Sequence, residues 1–431
     1  MKKIIFSILL VLTVLALILN QFFKKEEKEL SLNQIKKEAT NFYNSKKYNQ
    51  ATNKYLKVIE LSDFESQKQS AAYNAACCFA LLKKTDSAFI LLEKAIAFGY
   101  KNKEHLTTDS DLKILHNSSK WEGLIARIPK SKTLNSDPEL AEIITKDIHH
   151  FWEAYDLSEK KPNNAREIYK EYYFDKASDG MKDYVGSKIS SINYFIKHIE
   201  SRPKLYRSIR ANTLKVDDHR KEIQQSFKNF KAIYQEAKFP DVYFVIGAFT
   251  SGGTVSSAGL LIGTNQMSDG KNVNTEELTF REKMLMNKSK FLPHVVAHEL
   301  IHFQQNEMKR DTITLGYAIK EGMADFLGEL ISGETANRKI FDWTIGKEKQ
   351  IWADFEKDMY FNRYSNWIAN SGSASKDSYP DLGYWIGYEI CKSYYENFND
   401  KKQAIYNMLH IEDYRKFLTE SKWEAKLEKI N

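Results

Sequence analysis

Two polar motifs set in apolar helical runs constrain this chain of 431 residues more than any other feature, because each must lie on a helix and the two helices must meet. The first is His298-Glu299-Leu300-Ile301-His302. Pro293 suits a first helical turn, and Val295, Val296, Leu300, Ile301 and Phe303 supply the apolar face of the run Pro293 to Glu307. Residues four apart on a helix stand one turn above each other, so both imidazoles project from one face and can share a tetrahedral Zn2+ ion. Glu299 sits on the flank of that face, placed to take a proton from metal-bound water. The second motif, Glu321-Gly322-Met323-Ala324-Asp325, falls in the run Leu315 to Ser332. A zinc site that works on water needs a third protein ligand and an open fourth position, and Glu321 completes a His-His-Glu set. Asp325, one turn further along the same face, is placed to accept the second ring N–H of a ligating histidine. Gly322 is expected to let the two helices approach closely beside the metal. Solvated acids are the plain alternative for Glu321 and Asp325, but Ile319, Met323, Ala324, Phe326 and Leu327 surround them in the sequence.

The uncharged run Ile4 to Phe23, bracketed by Lys2, Lys3, Lys24 and Lys25, is as long as a helix that spans the hydrocarbon core of a bilayer. Its end shows no small-residue cleavage site, and no cysteine follows it before Cys77, as a lipoprotein signal would require. Residues 1–23 are therefore read as an uncleaved signal anchor, with a cleaved signal peptide as the alternative, and either places the bulk of the chain outside the cytoplasm or secretes it. Further on, Ala39, Phe42, Ala51, Tyr55 and Val58 recur as Ala76, Phe79, Ala88, Leu92 and Ala95, each displaced by 37 positions. That spacing is similar to tetratricopeptide (TPR) repeats, so residues 24–130 are expected to be TPR-like helical hairpins whose groove can hold a protein partner. Cys77 and Cys78 fall in a repeat helix and read as core.

Residues 131–238 form the helical part of the same region, a polar linker around Ser131 to Asp137 and then helices with aromatic core faces over 138–238, and residues 239–431 hold the two motifs. Asp241 to Thr250 and Ala258 to Thr264 are the one β-rich stretch, read as a hairpin around Ser251 to Thr254. The formal charge is +7, and +5 without the first 23 residues, whose charges are Lys2 and Lys3. So small and dispersed an excess predicts no nucleic-acid binding.

Taken with these motifs, the chain resembles the gluzincin class of zinc metallopeptidases, thermolysin-like enzymes with H-E-x-x-H followed on a second helix by E-x-x-x-D. More narrowly, it is similar to bacterial Zn-dependent proteases in which VAHELIHFQQ (Val296 to Gln305), KEGMADFLGELISG (Lys320 to Gly333) and DLGYWIGYEI (Asp381 to Ile390) occur together. The resemblance implies that His298, His302 and Glu321 bind one Zn2+, that Glu299 is the general base and that Asp325 orients His298. It also implies that the strand Ala258 to Thr264 runs alongside an extended peptide substrate. A tyrosine or histidine from beyond the metal helices would stabilise the oxyanion, and Tyr384 and Tyr388 are the candidates. The fold class expected is α+β and predominantly α: TPR-like hairpins, then a zincin-like metallopeptidase domain with a small β-sheet beside the HExxH helix. The expected function is a hydrolase, a zinc-dependent protease acting on peptide or protein substrates. The competing reading is a catalytically inactive, membrane-tethered binding or scaffold protein.

Overall fold

A computed structural model describes residues 31–129, 134–305, 308–309, 311–373 and 379–429, so the anchor or signal peptide read at residues 1–23 lies outside the described residues. The chain is predominantly helical with one small mixed sheet, an α+β architecture. It divides into two compact units, Met1–Ser62 with Lys68–Pro129 and Asp63–Gln67 with Lys130–Asn431.

The first unit is built from helical hairpins. Leu32–Asn44 pairs with Tyr48–Leu61, and Glu65–Leu81 is followed by Thr85–Ala97. Ser31 opens the first helix with a capping box, its hydroxyl accepting the Gln34 N–H while the Gln34 side chain accepts the Ser31 N–H. Ala39, Ala51, Ala76 and Ala88 are fully buried, since only a side chain this small fits where paired helices run close. The two hairpins also turn alike: Lys46 and Lys83 hold φ of 58° and 60°, and the next residues, Lys47 and Lys84, donate to Phe42 O and Phe79 O, both at 2.8 Å.

In the second unit four strands lie in the order β1-β2-β4-β3, with β1 at Ile143–Ile144, β2 at Asp241–Val245, β3 at Gly253–Val255 and β4 at Gly259–Gly263. β1 and β4 run parallel to β2, with Ile143 opposite Val242 and Leu260 opposite Val242, while β3 runs antiparallel to β4 with Thr254 opposite Leu261. Every residue of β2 and β4 is buried, as expected of central strands covered on both faces. Two expectations change here. The β-rich segments Asp241 to Thr250 and Ala258 to Thr264 do not form a hairpin with each other, because β3 intervenes as the antiparallel neighbour of β4. The stretch 138–238 is also not purely helical, since β1 adds an edge to the sheet. Behind the sheet, Phe151, Tyr173, Phe195 and Tyr206 form an aromatic core with ring centroids 5.5 to 6.0 Å from Phe151. The Tyr173 hydroxyl donates to Ile246 O at 2.7 Å and accepts Ile246 N–H at 3.1 Å, tying that core to the end of β2.

Three helices frame the motifs: the HExxH helix Leu292–Gln304, the carboxylate helix Thr314–Ser332 and the tyrosine helix Leu382–Asn397. The carboxylate helix lies in the middle, packed on both others. Gly322 makes its close approach to the tyrosine helix and not to the HExxH helix: a Cβ there would stand 1.9 Å from Tyr388 N. Gly328 is the residue that faces the HExxH helix, a Cβ there lying 3.3 Å from His298 N. The expectation for Gly322 is corrected accordingly, because helical spacing tells which residues share a face and not which neighbour that face meets.

Candidate metal centre

His298, His302 and Glu321 come together, with their ligand-type atoms all within 4.8 Å of one another. The HExxH helix supplies the two imidazoles from adjacent turns, their ring centroids 4.6 Å apart, and the carboxylate helix supplies the acid. His302 Nε2 lies 3.1 Å and His298 Nε2 3.9 Å from Glu321 Oε2. The opposite ring nitrogens are both engaged. His298 Nδ1 donates to Asp325 Oδ1 at 2.8 Å, and Asp325 is held in turn by the Asn337 amide, which donates to both carboxylate oxygens at 2.9 Å. His302 Nδ1 donates to Gln305 Oε1 at 2.8 Å, and the Gln305 amide donates to Lys320 O at 2.9 Å. Because the Nδ1 protons face acceptors, both Nε2 atoms are left to aim at Glu321, the tautomer a cation needs.

Burial opposes charge on His302, but the Glu321 carboxylate beside it holds the imidazole above its ordinary range, up to about 10. Burial likewise opposes charge on Glu321, and His302 overcomes it, holding the carboxyl down to about 2. The site therefore stores a proton between two groups that a divalent cation would displace. Glu299 is buried on the same face, and desolvation raises its pKa against the pull of the two histidines. β3 comes so close that a Cβ at Gly253 would stand 2.2 Å from Glu299 Oε1. A cavity of about 240 Å³ opens beside His298 and Glu299, with Arg281, Asn337, Lys339 and Tyr384 on its walls.

The two tyrosines separate. Tyr384 stacks on His298, centroids 6.0 Å apart at 14°, and lies beside Glu321, so that burial and then the carboxylate's charge oppose ionisation of its hydroxyl. Tyr388 turns away to donate to Glu329 Oε2 at 3.0 Å, its ring against Phe341 and Phe326. β4 is paired on both sides, so the strand expected to run beside a peptide has no free edge. Two residues that complete the centre, Gln305 and Asn337, escaped the sequence reading. Gln305 follows His302 by three, a helical-neighbour spacing that marks it in retrospect, whereas Asn337 stands beyond the end of the carboxylate helix with no spacing to betray it.

The other cluster of ligand-type groups among the described residues is Cys77, Asp109 and Asp111. The Tyr73 hydroxyl donates to Asp109 at 2.7 Å and Tyr43 to Asp111, while burial keeps the Cys77 thiol protonated. That is a satisfied buried network.

Residues 133–425 match the family described as gliding motility protein GldB. The family is one of lipoproteins, in keeping with membrane attachment, and among the described residues no helix is long and apolar enough to cross a membrane. A curated chloroplastic protein of Arabidopsis thaliana is 25% identical over 113 residues, 26% of this chain and 34% of that protein, so the match spans about a third of the relative's length. No solved structure matches the chain. The family match overturns the expectation of a gluzincin: the region read as a zinc peptidase belongs to a family described by gliding motility, and the labels hydrolase, protease and metalloprotease fall with it. The general-base role of Glu299 and the oxyanion role of Tyr384 or Tyr388 belonged to that reaction. H-E-x-x-H with a distant acid specifies a face that can hold a cation, and holding a cation is common to sites that catalyse and sites that bind.

Proposed function

We infer that this chain, a member of the gliding motility protein GldB family, is a membrane-associated component of a gliding apparatus that acts by binding other proteins. The observation that carries this reading is the family match over residues 133–425, which takes in the whole of the motif-bearing region. The uncharged run Ile4 to Phe23 serves as an uncleaved anchor, since no cysteine stands close behind it to carry a lipid, and the rest of the chain works outside the cytoplasm. The repeat hairpins of residues 24–130 offer a groove of the kind that holds a protein partner. His298, His302 and Glu321 hold one Zn2+, with Asp325 and Gln305 fixing the two imidazoles. The donor set fits the ion: two ring nitrogens and one carboxylate converge, the proton held between His302 and Glu321 is the one a cation displaces, and both Nδ1 atoms are already engaged. His298 and His302 on the HExxH helix and Glu321 on the carboxylate helix would hold the ion between them, and it would supply a positive centre that joins the two helices.

The test is genetic. Cells of a gliding host that lack the chain should stop moving over a surface and recover when the full chain is returned. Normal movement without it would reject the motility reading. Zinc is scored separately, by metal content of the purified full chain, so a failure of one statement does not conceal the other.

A further inference from the structure

We propose that a second cavity, walled by the helices Ile192–Glu200 and Phe280–Leu285, is a binding site for a phosphate group, either free or on a lipid headgroup. The cavity measures about 510 Å³, and Lys197, His198, Arg202, Phe249, Arg281 and Glu282 contribute to its wall. None of these is a zinc ligand, and the inference does not rest on the metal centre.

The charges do not cancel. Arg202 pairs with Glu282 at 2.7 Å, and the other carboxylate oxygen of Glu282 accepts the N–H and the hydroxyl of Thr279, both at 2.9 Å, so this acid is neutralised and saturated with donors. The side chains of Lys197 and Arg281 form no hydrogen bond or ion pair among the described residues. Two uncompensated positive charges therefore border one concavity, whose low-dielectric walls strengthen their field. A phosphate monoester carries up to two negative charges near neutral pH, and it offers three acceptor oxygens that suit a guanidinium fork and an ammonium together. A carboxylate would leave one charge unmatched, and a metal cation would be repelled.

The polar lining shows the same want of an acceptor. His198 is 7% exposed, and its Nε2 has no hydrogen-bond partner, while Arg202 Nε is likewise buried and unpartnered. Burial holds the His198 imidazole down to about 4, so it is neutral at physiological pH and can present Nε2–H as a donor. Both nitrogens lie in the wall just below the accessible surface, so an anion in the cavity meets them as donor dipoles behind Lys197 and Arg281 and not as direct partners. Phe249 stands beside His198, ring centroids 5.7 Å apart, with its backbone in the left-handed region at φ 57°. A bulky residue persists there only where its surroundings hold it, and such strain clusters at ligand sites. Arg281 also borders the cleft beside the metal centre, so an anion here would sit next to that site.

The experiment is calorimetric titration of the full chain, purified in detergent, with inorganic phosphate at constant ionic strength and with acetate as the monoanion control. Saturable phosphate binding is expected, with acetate far weaker. The double variant Lys197→Ala, Arg281→Ala should weaken phosphate by about ten- to a hundredfold, and Lys197→Arg should bind like the parent. Both side chains are at the surface, so an unchanged thermal melt shows that the loss is local. Vesicles containing phosphatidic acid separate the two sources. If they bind and phosphate competes, the group arrives on a headgroup; if phosphate alone binds, it arrives free. No saturable phosphate or vesicle binding, equal binding of acetate, or a double variant that binds like the parent would each overturn the proposal.

Discussion

Asp325 is 1% exposed, yet it is fully occupied: His298 Nδ1 donates to one oxygen at 2.8 Å and the Asn337 amide reaches both. Replacing it by alanine frees the His298 ring and takes away the acceptor of the Asn337 amide. Asp325→Ala is expected to weaken zinc by about 10- to 100-fold, read by competition with a chromogenic chelator, and an unchanged affinity would remove Asp325 from the centre. The meeting of His298, His302 and Glu321 was legible in the sequence because helical periodicity is strict at four residues, and an acid on a second apolar run has few places to go. Asn337 was not, since a loop residue carries no period. His198 gives a pH prediction of its own. Burial, reinforced by Arg202 and opposed by Glu282, puts its folded-state pKa at about 4, below the ordinary value near 6.5. The unfolded chain thus takes up the proton first, so this contribution is complete above pH about 6.5. It is lost as pH falls toward 4, by roughly 3 kcal/mol. In phosphate-free buffer, chemical denaturation of the parent should show this loss and His198→Phe should lack it; identical pH profiles would reject the assignment.

At the scale of elements, the contact between the carboxylate and tyrosine helices is set by two glycines facing each other's backbone. A Cβ on Gly387 would stand 1.8 Å from Ala318 O, where only backbone can yield. Gly387→Ala should therefore force the helices apart and destabilise the second unit by about 1 to 3 kcal/mol, the usual range for overpacking. Gly123→Ala is the control, in a helix where an added Cβ meets nothing within 4 Å, and there the change should stabilise by up to about 1 kcal/mol. Equal effects at the two sites, measured by denaturant midpoints, would show that the close approach is not limiting. The repeat hairpins allow the opposite substitution. Lys46 and Lys83 occupy left-handed backbone, which costs a residue with a side chain about 1 to 2 kcal/mol, so glycine at either should raise the melting temperature of the full chain. The 37-residue offset made both hairpins legible, whereas their shared left-handed turn at Lys46 and Lys83 was not read from it. The sheet was legible as composition but not as topology: β-rich runs announce strands, whereas the parallel pairing of β2 with β4 depends on where β3 inserts, and nothing local in Gly253–Val255 signals that.

For the molecule as a whole, the motif that pointed to peptide hydrolysis stands in a chain whose family is described by movement. Glu299 separates the two uses of one geometry. It is not one of the three converging ligands, it is buried, and glutamine at that position keeps its shape while removing its charge. If the centre serves to hold helices and partners in place, Glu299→Gln should keep zinc and restore gliding to cells lacking the chain as fully as the parent does. Glu321→Ala, which removes a ligand, should lose the metal. With it should go the stabilisation that zinc confers, about 2.7 kcal/mol when free zinc stands at a hundred times its dissociation constant. Gliding assays, metal content and thermal melts of the same two variants decide the matter. A folded, zinc-loaded Glu299→Gln chain that failed to restore gliding would show that this carboxylate acts beyond its shape, and the binding reading would fall. Restored gliding by Glu321→Ala without zinc would leave the family reading standing and confine the metal to a role outside movement.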